Sequence, residues 1–281
     1  MERPVTSRIA PQQARSWLLV PASKPDTFDA AHPARAPDAV ILDLEDAVTA
    51  PNKPAARRDV AAFLSEHNHA WVRINDATTP FWEEDLAVLA GLPGLEGVML
   101  AKTESGQQAD ATAERLPDGP KILALVESAV GLEAAPEIAR TDGIFRLAFG
   151  SGDFRRDTGM DDSPTSMSYP RSRLTIASRA ARIAPPIDGP TLGPDLDLLA
   201  RDCAITLSLG MAGKLCMTTA QTAPVNAGLS PSVADAIWAQ NVIDDLGEDG
   251  SRVRDGSDLP KLAKAKKIHK LATLFHIPTD H

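Results

Sequence analysis

The sequence predicts an α/β protein of the (β/α)₈ TIM-barrel class with a C-terminal helical extension, and three features support this. Eight short apolar or β-branched runs occur along the 281 residues, at 16–22, 39–45, 71–75, 97–102, 121–128, 145–153, 185–190 and 211–220. Segments with the apolar spacing of helices lie between most of them, such as 55–64, 86–92 and 192–199. Successive runs start 23 to 32 residues apart with one gap of 40, which suits eight strand–helix units closing into one barrel.

An open doubly wound sheet is the competing fold. Such sheets carry a glycine-rich dinucleotide-binding turn after the first strand, but here Val20 is followed by PASKPD, which has no glycine cluster. The closed barrel is therefore favoured.

The predicted barrel occupies residues 1–230, and residues 231–281 form the C-terminal extension. The region from Leu229 to Phe275 has two helical patterns separated by a polar stretch, 247–258, which is typical of a hinge or lid. In the second helix an apolar stripe is predicted to contain Leu259, Leu262, Ile268, Leu271 and Phe275, with Lys261, Lys264, Lys267 and Lys270 facing away. Two interpretations of those lysines remain open, a solvated face and a phosphate-binding face.

Composition excludes several classes of function. A formal charge of −9 and a pI near 5.2 argue against sequence-independent binding of nucleic acid. No apolar run approaches the ~20 residues that cross a bilayer, and the first residues lack a signal-peptide core, so we expect a cytoplasmic protein without a membrane partner. Cys203 and Cys216 are too few for a disulfide framework and are expected to be buried thiols.

Charged residues occur at the ends of five consecutive predicted strands, where a parallel barrel gathers its chemistry. They are Asp43, Glu45 and Asp46, then Arg73 with Asn75, then Lys102 and Glu104, then Glu127, and finally Asp153. Several carboxylates at one barrel mouth repel one another unless protons or a cation neutralise them. Because the available ligands are all oxygen, Mg²⁺ or Mn²⁺ is predicted rather than zinc.

Glu127 in ALVESAVG and Asp153 in FGSGDF are the predicted metal ligands, since each follows an apolar strand beside small residues. The alternative is that each caps the following helix. Arg73 in WVRIN suits a substrate carboxylate through its planar donor fork, and its alternative is an ion pair with Glu45 or Asp46.

Lys102 has two interpretations. A lysine at a barrel strand end can form a Schiff base, as in metal-independent aldolases. Neighbouring carboxylates would keep its amine charged, which favours a structural or electrostatic role.

Seven segments carry a resemblance to a known family: RSWLLVPASKPDTFDAA, VILDLEDAV, WVRIN, LAKTE, ALVESAVG, FGSGDFRRDTG and YPRSRLTIASRAA. In order and spacing, from Arg15 to about Pro231, they resemble the HpcH/HpaI aldolase and citrate lyase beta-subunit family of CoA ester lyases. The resemblance implies a (β/α)₈ barrel, commonly trimeric. It also implies action on acyl-CoA thioesters such as citramalyl-CoA or malyl-CoA, or on related 2-oxo and 3-hydroxy acids.

The resemblance also implies roles for individual residues. Glu127 and Asp153 match the family's Mg²⁺ ligands, and Arg73 matches the arginine that binds the oxo-acid carboxylate. Glu45 and Asp46 match acidic residues that contact metal-bound water and order the site.

Five further positions receive expectations from the resemblance. The backbone at Gly150 and Gly152 is expected against the oxo acid, where bulkier side chains would obstruct it. Arg15 and Lys24 resemble positions near the phosphate or pantetheine arm of the thioester. Asp258 matches an aspartate of the lid segment that is donated to a neighbouring subunit as general acid or base. The alternative for Asp258 is an N-cap of the helix starting at Leu259.

Two segments depart from the family pattern. At the eighth strand GKLCMTTAQ keeps Gly213, Lys214 and Gln221 but has Thr218 and Thr219 where many relatives have a His-Pro pair. The segment FRRDTGMDDSPTSMSYPRS adds Asp161 and Asp162 near the predicted barrel mouth. Both departures bear on the choice of substrate.

Together these observations predict a Mg²⁺- or Mn²⁺-dependent carbon–carbon lyase, a homo-oligomer and by family expectation a trimer. It would cleave or form a 3-hydroxyacyl-CoA to give an acyl-CoA and a 2-oxo acid. The alternatives are a metal-dependent aldolase on free 2-oxo or hydroxy acids and a non-catalytic binding homologue.

Overall fold

The computed structural model describes residues 9–31, 37–66, 68–116 and 121–279. Eight parallel strands form a closed barrel in which each strand pairs with the next and β8 pairs with β1. The strands are β1 Ser16–Pro21, β2 Ala39–Asp43, β3 Ala70–Ile74, β4 Leu95–Leu100, β5 Lys121–Val126, β6 Ile144–Phe149, β7 Ala184–Asp188 and β8 Gly213–Cys216. The predicted α/β barrel is confirmed, and each of the eight runs overlaps a strand.

Helices follow most of the strands, since neighbouring parallel strands need a long crossover that is usually helical. They are α1 Lys53–Ser65, α2 Pro80–Leu89, α3 Gly106–Glu114, α4 Ala129–Ile138, α5 Ser151–Thr158, α6 Ser168–Ala181, α7 Leu196–Ser208 and α8 Thr219–Gly228, with short 3₁₀ turns at Pro25–Ala31 and Ala50–Asn52. Serine and aspartate cap several of them: Ser105, Ser128 and Asp195 accept from backbone N–H groups of the first turns of α3, α4 and α7.

Two segments have bounds that differ from those predicted from the sequence. The run 145–153 contains only β6, because the chain turns at Gly150 and α5 begins at Ser151. The helical pattern 192–199 begins only at Leu196, since Gly193 has a φ of 88° and Asp195 caps the helix. Leu192 consequently lies in the loop after β7 and is 62% exposed.

Aromatic and aliphatic side chains fill the barrel interior. Trp17 of β1 and Trp71 of β3 pack edge to face with ring centroids 5.3 Å apart, and Met99, Leu123 and Ile187 join the same cluster. Because the interior is packed rather than hollow, chemistry is confined to the rim where the strands end.

Arg146 of β6 lies within this interior, fully buried, towards the amino ends of the strands. Its guanidinium donates to the carbonyls of Ala14 at 3.0 Å and Pro11 at 3.2 Å. Burial lowers the pKa of Arg146 to about 9. The side chain closes the end of the barrel opposite the rim that carries the candidate site.

The contact pattern divides the chain into Met1–Gly228 and Leu229–His281, so the second unit starts two residues before the predicted boundary. The second unit contains α9 Val233–Leu246 and α10 Asp258–Leu274. Its core joins Ala239, Val242 and Leu246 of α9 to Leu262 and Ala265 of α10.

The stripe predicted for the last helix is partly wrong. Leu259 is 59% exposed, because the buried face runs through Leu262, Ala265 and Ala272 instead. The four lysines predicted to face away from it, Lys261, Lys264, Lys267 and Lys270, are exposed.

Two further expectations concern the whole chain. Cys203 and Cys216 are buried free thiols, as predicted. Over the described ranges, the model contains no helix with the length and apolar character needed to cross a membrane.

Candidate active site

A cavity of about 350 Å³ opens where the barrel strands end and collects most of the predicted site residues. Its lining includes Asp43, Asp46, Arg73, Glu127, Gly150, Gly152 and Asp153. We call it the catalytic cavity. Side chains that are up to 110 positions apart in the sequence thus share one space, which agrees with the expectation that polar strand ends converge.

Arg73, at the end of β3, is held by a buried carboxylate on the neighbouring strand. Its Nε and Nη2 donate to Asp43 Oδ1 at 2.7 Å and Oδ2 at 2.6 Å, a two-point geometry that fixes the guanidinium plane. Burial alone would lower the pKa of Arg73, but the bonds to Asp43 and the charge of Glu45 keep it above its ordinary value. Nη1 remains, 3.3 Å from Glu45 Oε2 and directed towards the other acidic groups.

The ion pair weighed as the alternative for Arg73 therefore exists, but Asp43 is its main partner. Asp46 lies farther away, at 3.9 Å from Nη1, and its side chain is 58% exposed. The ion pair leaves Nη1 as the part of the guanidinium that a second carboxylate could approach, so it does not exclude the predicted role of Arg73 in binding substrate.

Glu45 lies between Arg73 and Lys102 and pairs with both. Its Oε1 accepts a short hydrogen bond from Lys102 Nζ, and its Oε2 accepts from the backbone N–H of Asp46 at 2.9 Å. Burial raises the pKa of Glu45, against the lowering influence of Arg73 and Lys102. Arg73 and Lys102 therefore offset part of the cost of burying this carboxylate.

The side-chain amine of Lys102 lies near three carboxylates. Besides Glu45, its Nζ lies 3.9 Å from both Asp46 Oδ1 and Asp153 Oδ2. Burial lowers its pKa, but the hydrogen bond to Glu45 and the surrounding negative charge raise it above the ordinary value. The amine is therefore protonated at neutral pH, which supports the electrostatic role over a Schiff base.

Glu127, directly after β5, is 5% exposed and has one fixed oxygen. Its Oε1 accepts from the backbone N–H of Lys102 at 2.8 Å, a residue with a φ of 47°. Desolvation raises the pKa of Glu127 to about 8, and the nearby charge of Asp153 adds to the effect. A cation bound next to Glu127 would strongly favour the ionised form of this carboxyl group.

Asp153 lies in the first turn of α5 rather than at the end of β6. Its Oδ2 is buried and has no hydrogen-bond partner in the described structure, although Arg156 Nη2 lies 3.0 Å away outside hydrogen-bonding geometry. Arg156 is 73% exposed, so it occupies the solvent side of this carboxylate. A buried carboxylate oxygen that accepts no hydrogen bond, and whose carboxylate is close enough to Glu127 to raise its pKa, fits a divalent cation held by oxygen ligands.

Glu127 and Asp153 are the two candidate metal ligands in the catalytic cavity. Within residues 9–31, 37–66, 68–116 and 121–279, no three His, Cys, Asp or Glu side chains are grouped to hold a metal ion. Helix capping does not explain the two acids either. The capping side chain of α4 is that of Ser128, and Asp153 makes no cap bond at the start of α5.

The two glycines of FGSGDF differ in their surroundings. A Cβ on Gly150 would lie 2.4 Å from both Cβ and Oε2 of Glu127, so this position must lack a side chain for the glutamate to fit. Around Gly152 nothing lies within 4 Å of the corresponding position. Glu127 is therefore a reason for glycine at position 150, while the expectation that the backbone at both glycines lies against the oxo acid stays a prediction.

Arg15 is not brought into the site. It precedes β1 and so lies at the amino end of the barrel, where its Nε donates to Asp38 Oδ2 at 2.8 Å. Its expected contact with the thioester arm does not agree with this position, because the catalytic cavity is at the opposite end of the strands. Lys24 is exposed in the turn after β1, on the same rim as the cavity.

Asp258 belongs to the second unit. The N-cap residue of α10 is Ser257, so the N-cap alternative for Asp258 is wrong. Its Oδ2 instead accepts two hydrogen bonds from Arg254, one from the backbone N–H at 3.0 Å and one from the side-chain Nε at 3.2 Å. These bonds to Arg254 lower the pKa of Asp258, which is therefore an anion at neutral pH.

Sequence reasoning missed a buried network beneath the loop after β7. Asp188 accepts from Arg171 Nε at 2.8 Å and Thr206 Oγ1 at 2.6 Å, and Lys214 Nζ lies 3.6 Å from it. Lys214 also donates to the carbonyl of Gly189 at 2.8 Å. The strand-end rule could have found Asp188, since it is the last residue of β7.

The segment that departs from the family pattern lies after β8. Gln221 is buried and donates to the carbonyl of Thr191 at 2.9 Å, while its oxygen accepts from Met217 N at 2.8 Å. The retained glutamine thus ties the β7 and β8 loops together. Thr218 and Thr219 are exposed at the rim.

A closed parallel barrel with acidic side chains and a fixed arginine at its carboxyl rim is the layout of a barrel enzyme whose chemistry takes place where the strands end. Comparison with known proteins identifies the family within the class of barrel enzymes. The model of the HpcH/HpaI aldolase/citrate lyase family matches residues 15–218, and that of the HpcH/HpaI aldolase C-terminal domain matches residues 234–276. The chain belongs to this family of aldolases and lyases.

Individual relatives agree with this assignment. A citrate lyase subunit beta-like protein of Deinococcus radiodurans is 33% identical over 279 residues, covering 92% of this chain and 97% of that protein. A (3S)-malyl-CoA thioesterase of Cereibacter sphaeroides is 30% identical over 236 residues, covering 82% and 81%. Protein CitE from Mycobacterium tuberculosis, solved with magnesium, acetoacetate and coenzyme A, has a TM-score of 0.78 at 29% identity and covers 93% of this chain and 99% of its own.

Proposed function

We propose that this protein is a divalent-metal-dependent carbon–carbon lyase. It would cleave a 3-hydroxyacyl-CoA to an acyl-CoA and a 2-oxo acid, or join them in reverse. The observation that carries the proposal is the presence of Glu127, Asp153 and Arg73 in one cavity, with a buried oxygen of Asp153 lacking a hydrogen-bond partner. The magnesium and coenzyme A found with the M. tuberculosis relative support it.

Glu127 and Asp153 are the residues that would hold Mg²⁺ or Mn²⁺. When bound, the cation supplies Lewis-acid polarisation of a carbonyl or hydroxyl oxygen of the substrate. Two protein ligands leave most of an octahedral shell to water and substrate oxygens, as is common for Mg²⁺.

Arg73 would bind the carboxylate of the oxo acid. Asp43 already occupies Nε and Nη2, so the substrate would use Nη1, on the side of Glu45. Because the guanidinium is immobilised before substrate arrives, little side-chain entropy is lost on binding.

Cleavage requires a base that removes the proton of the 3-hydroxyl group. The carbon that carries this hydroxyl becomes the carbonyl carbon of the 2-oxo acid. As that proton leaves, the oxygen forms the carbonyl, the carbon–carbon bond breaks, and its electron pair passes to the thioester as an enolate. Protonation of the enolate carbon then gives the acyl-CoA. Lys102, protonated and next to the acidic group of Glu45 and Asp46, is placed to offset developing negative charge and to order water at the rim.

Asp258 is our candidate for the base, supplied by the C-terminal unit of a neighbouring subunit in a homo-oligomer, with a trimer favoured. Its lowered pKa gives the ionised form that accepts a proton. Lys24, exposed on the rim, is a candidate contact for the phosphates or the pantetheine arm of the thioester.

The test is a product assay on the purified protein with Mg²⁺ and either malyl-CoA or citramalyl-CoA. Both the 2-oxo acid and the free CoA thiol are measured. Release of oxo acid with no free thiol is expected, EDTA should stop it, and E127Q should abolish it. Free thiol without oxo acid would indicate thioester hydrolysis, the activity for which the Cereibacter relative is named, and would overturn the lyase proposal.

Two alternatives are separated by the same materials. An aldolase on free hydroxy acids would release the oxo acid from malate or citramalate without CoA. A binding homologue would bind thioester in the presence of Mg²⁺ and release neither product.

A further inference from the structure

One buried amide, that of Gln221 in the first turn of α8, joins two loops of the barrel rim. Its Oε1 accepts from the backbone N–H of Met217 at 2.8 Å, in the loop after β8. Its Nε2 donates to the carbonyls of Thr191 at 2.9 Å and Gly193 at 3.3 Å, in the loop after β7. The side chain is 4% exposed, so the acceptor and the donor end of this amide are both used inside the protein.

The two loops are parts of the catalytic cavity. We call residues 189–195 the β7 loop and residues 217–218 the β8 loop. Pro190 and Leu192 of the first and Met217 of the second line the cavity, whereas Gln221 is not among its lining residues. Leu192 is 62% exposed and Met217 is 48% exposed, so both side chains are available to a bound molecule. Gln221 can therefore act on substrate only through the loops that it holds.

Two other side chains contact the β7 loop. Lys214 donates to the carbonyl of Gly189 at 2.8 Å, and Thr191 Oγ1 donates to Asp202 Oδ2 at 2.5 Å. Neither contact reaches the β8 loop, whereas Gln221 binds both loops. The separation of the two loops consequently depends on the amide of Gln221.

The loops supply a part of the cavity that differs from the polar part. Arg73, Glu127 and Asp153 are charged and can hold a carboxylate and a cation, whereas the three side chains from the loops are apolar. A ligand as small as oxalate needs only the charged groups. A larger substrate also needs a wall, and a wall that is fixed before binding costs less conformational entropy than one that must be ordered.

We propose that Gln221 is a positioning residue for the thioester part of the substrate, because it fixes the β7 and β8 loops as one wall of the catalytic cavity. The inference rests on the proposed function, since it takes the oxo-acid part to be bound at Arg73 and the cation. It also accounts for a glutamine kept beside Thr218 and Thr219. The amide of Gln221 binds the backbone N–H of Met217, so the contact does not depend on the side chains that follow.

Two variants separate the bonds of this amide. Q221M removes all of them at nearly constant volume. Q221E can still accept from the N–H of Met217, but it places a carboxylate oxygen against the carbonyls of Thr191 and Gly193, so only the β7 loop is released.

Steady-state kinetics are measured with Mg²⁺ and malyl-CoA or citramalyl-CoA. We expect KM to rise about tenfold or more in both variants while kcat changes less than about threefold, because the lost contacts bind substrate and transition state alike. The dissociation constants of Mn²⁺ and of oxalate, measured by calorimetry, should stay within about twofold of wild type, since Glu127, Asp153 and Arg73 are untouched.

The matched control is T175V. Thr175 of α6 donates through Oγ1 to the carbonyl of Leu209 at 2.8 Å, which is also a bond from a helix side chain to a loop. That loop precedes β8 and so lies at the opposite rim of the barrel. T175V should keep the wild-type KM. Urea unfolding of all three variants shows whether KM follows stability, and a KM that rises in T175V as it does in Q221M would reduce Gln221 to a structural role and overturn the proposal.

A measurement on the wild type does not depend on the folding of any variant. Hydrogen exchange of the β7 and β8 loops should slow when acetyl-CoA is added with Mg²⁺ and should not change with oxalate. Exchange that is the same with both ligands would overturn the proposal.

The possible failures are distinguishable. A wild type that neither cleaves the thioesters nor binds oxalate in Mg²⁺ would overturn the proposed function and the role of Gln221 with it. Wild-type turnover with an unchanged KM in Q221M and Q221E, or a loss of Mn²⁺ and oxalate affinity as large as the rise in KM, would overturn the role of Gln221 alone.

Discussion

The backbone N–H of Lys102 donates to Glu127 Oε1 at 2.8 Å, which joins the end of β4 to the end of β5. Lys102 adopts the left-handed φ of 47° that aims its N–H at this carboxylate, and Gly150 leaves room for the other oxygen, Oε2. One oxygen of Glu127 is thus held by the backbone and the second is left for a ligand. This orientation is independent of the Lys102 side chain, which is bound to Glu45.

Neutralising either candidate ligand should remove metal binding. We expect E127Q and D153N each to weaken Mn²⁺ binding, measured by calorimetry or electron paramagnetic resonance, by about 100-fold or more, because a neutral amide is a poor replacement for one of two carboxylate ligands. The control is E133Q, a change at a glutamate whose side chain is 68% exposed. Wild-type affinity for Mn²⁺ in both E127Q and D153N would rule out this pair as the metal site.

Stability of the metal-free protein should depend on pH through Glu127. Its pKa is about 8 in the folded protein against an ordinary 4.5, so between these values the unfolded chain has lost a proton that the folded chain keeps. The contribution of Glu127 to the free energy of unfolding is therefore largest below pH 4.5, falls by up to about 1.4 kcal/mol per pH unit as the pH rises to 8, and is level above it.

Urea unfolding in EDTA between pH 5 and 8.5 tests this relation. Because Glu45 and other groups titrate too, the informative quantity is the wild-type free energy of unfolding minus that of E127Q, which should decline with pH. Saturating Mg²⁺ should reverse the decline, since the cation binds the carboxylate form. A difference that does not change with pH in EDTA contradicts the raised pKa.

Arg73 should be needed both for the fold and for oxo-acid binding. Removing its side chain leaves the buried Asp43 without its partner, at a cost of about 3–5 kcal/mol, so R73A is expected to be strongly destabilised. The double variant R73M/D43N removes both charges and should recover part of that loss while oxalate binding stays absent. Recovery of oxalate affinity in the double variant would show that the guanidinium does not bind the substrate carboxylate.

The fold and the positions of Glu127 and Arg73 at the barrel rim were predictable, because they depend on local sequence patterns. A buried strand followed by a polar residue identifies the rim of a parallel barrel, so Glu127 and Arg73 could be recognised from their positions alone. The eight strands followed from the same alternation of apolar runs and helices.

Partners across strands were not predictable in the same way. The choice of Asp43 rather than Glu45 as the main partner of Arg73 depends on register between β2 and β3, where Asp43 aligns with Arg73. The position expected for Arg15 near the thioester was wrong for a different reason. The family motif includes Arg15, but the residue precedes β1 and so lies at the amino end of the barrel. The strand-end position of Asp188 was predictable, but its pairing with Arg171 and Lys214 was not, because both cations lie on distant segments.

A subunit-mixing experiment tests the role proposed for Asp258. D258N and E127Q should each be inactive, but oligomers formed by mixing and refolding the two variants should recover part of the wild-type activity. The recovery arises because one subunit supplies an intact Asp258 to a neighbour with an intact Glu127. Mixed oligomers that stay inactive, with D258N alone also inactive, would place the required aspartate in the same chain as the metal site.

The two glycines of FGSGDF provide a matched pair for the metal site itself. In G150A the added methyl would meet Glu127 Cβ and Oε2 at 2.4 Å, so the glutamate must turn away from its hydrogen bond with Lys102, and Mn²⁺ binding should fall at least tenfold. In G152A the methyl enters open space within α5, where alanine favours the helix by about 0.5–1 kcal/mol, so stability and Mn²⁺ affinity should be kept or improved. Since the two variants add the same group two residues apart, a difference in metal affinity reports on Glu127 rather than on loop flexibility. Equal Mn²⁺ affinities in G150A and G152A would mean that Oε2 of Glu127 is not a ligand.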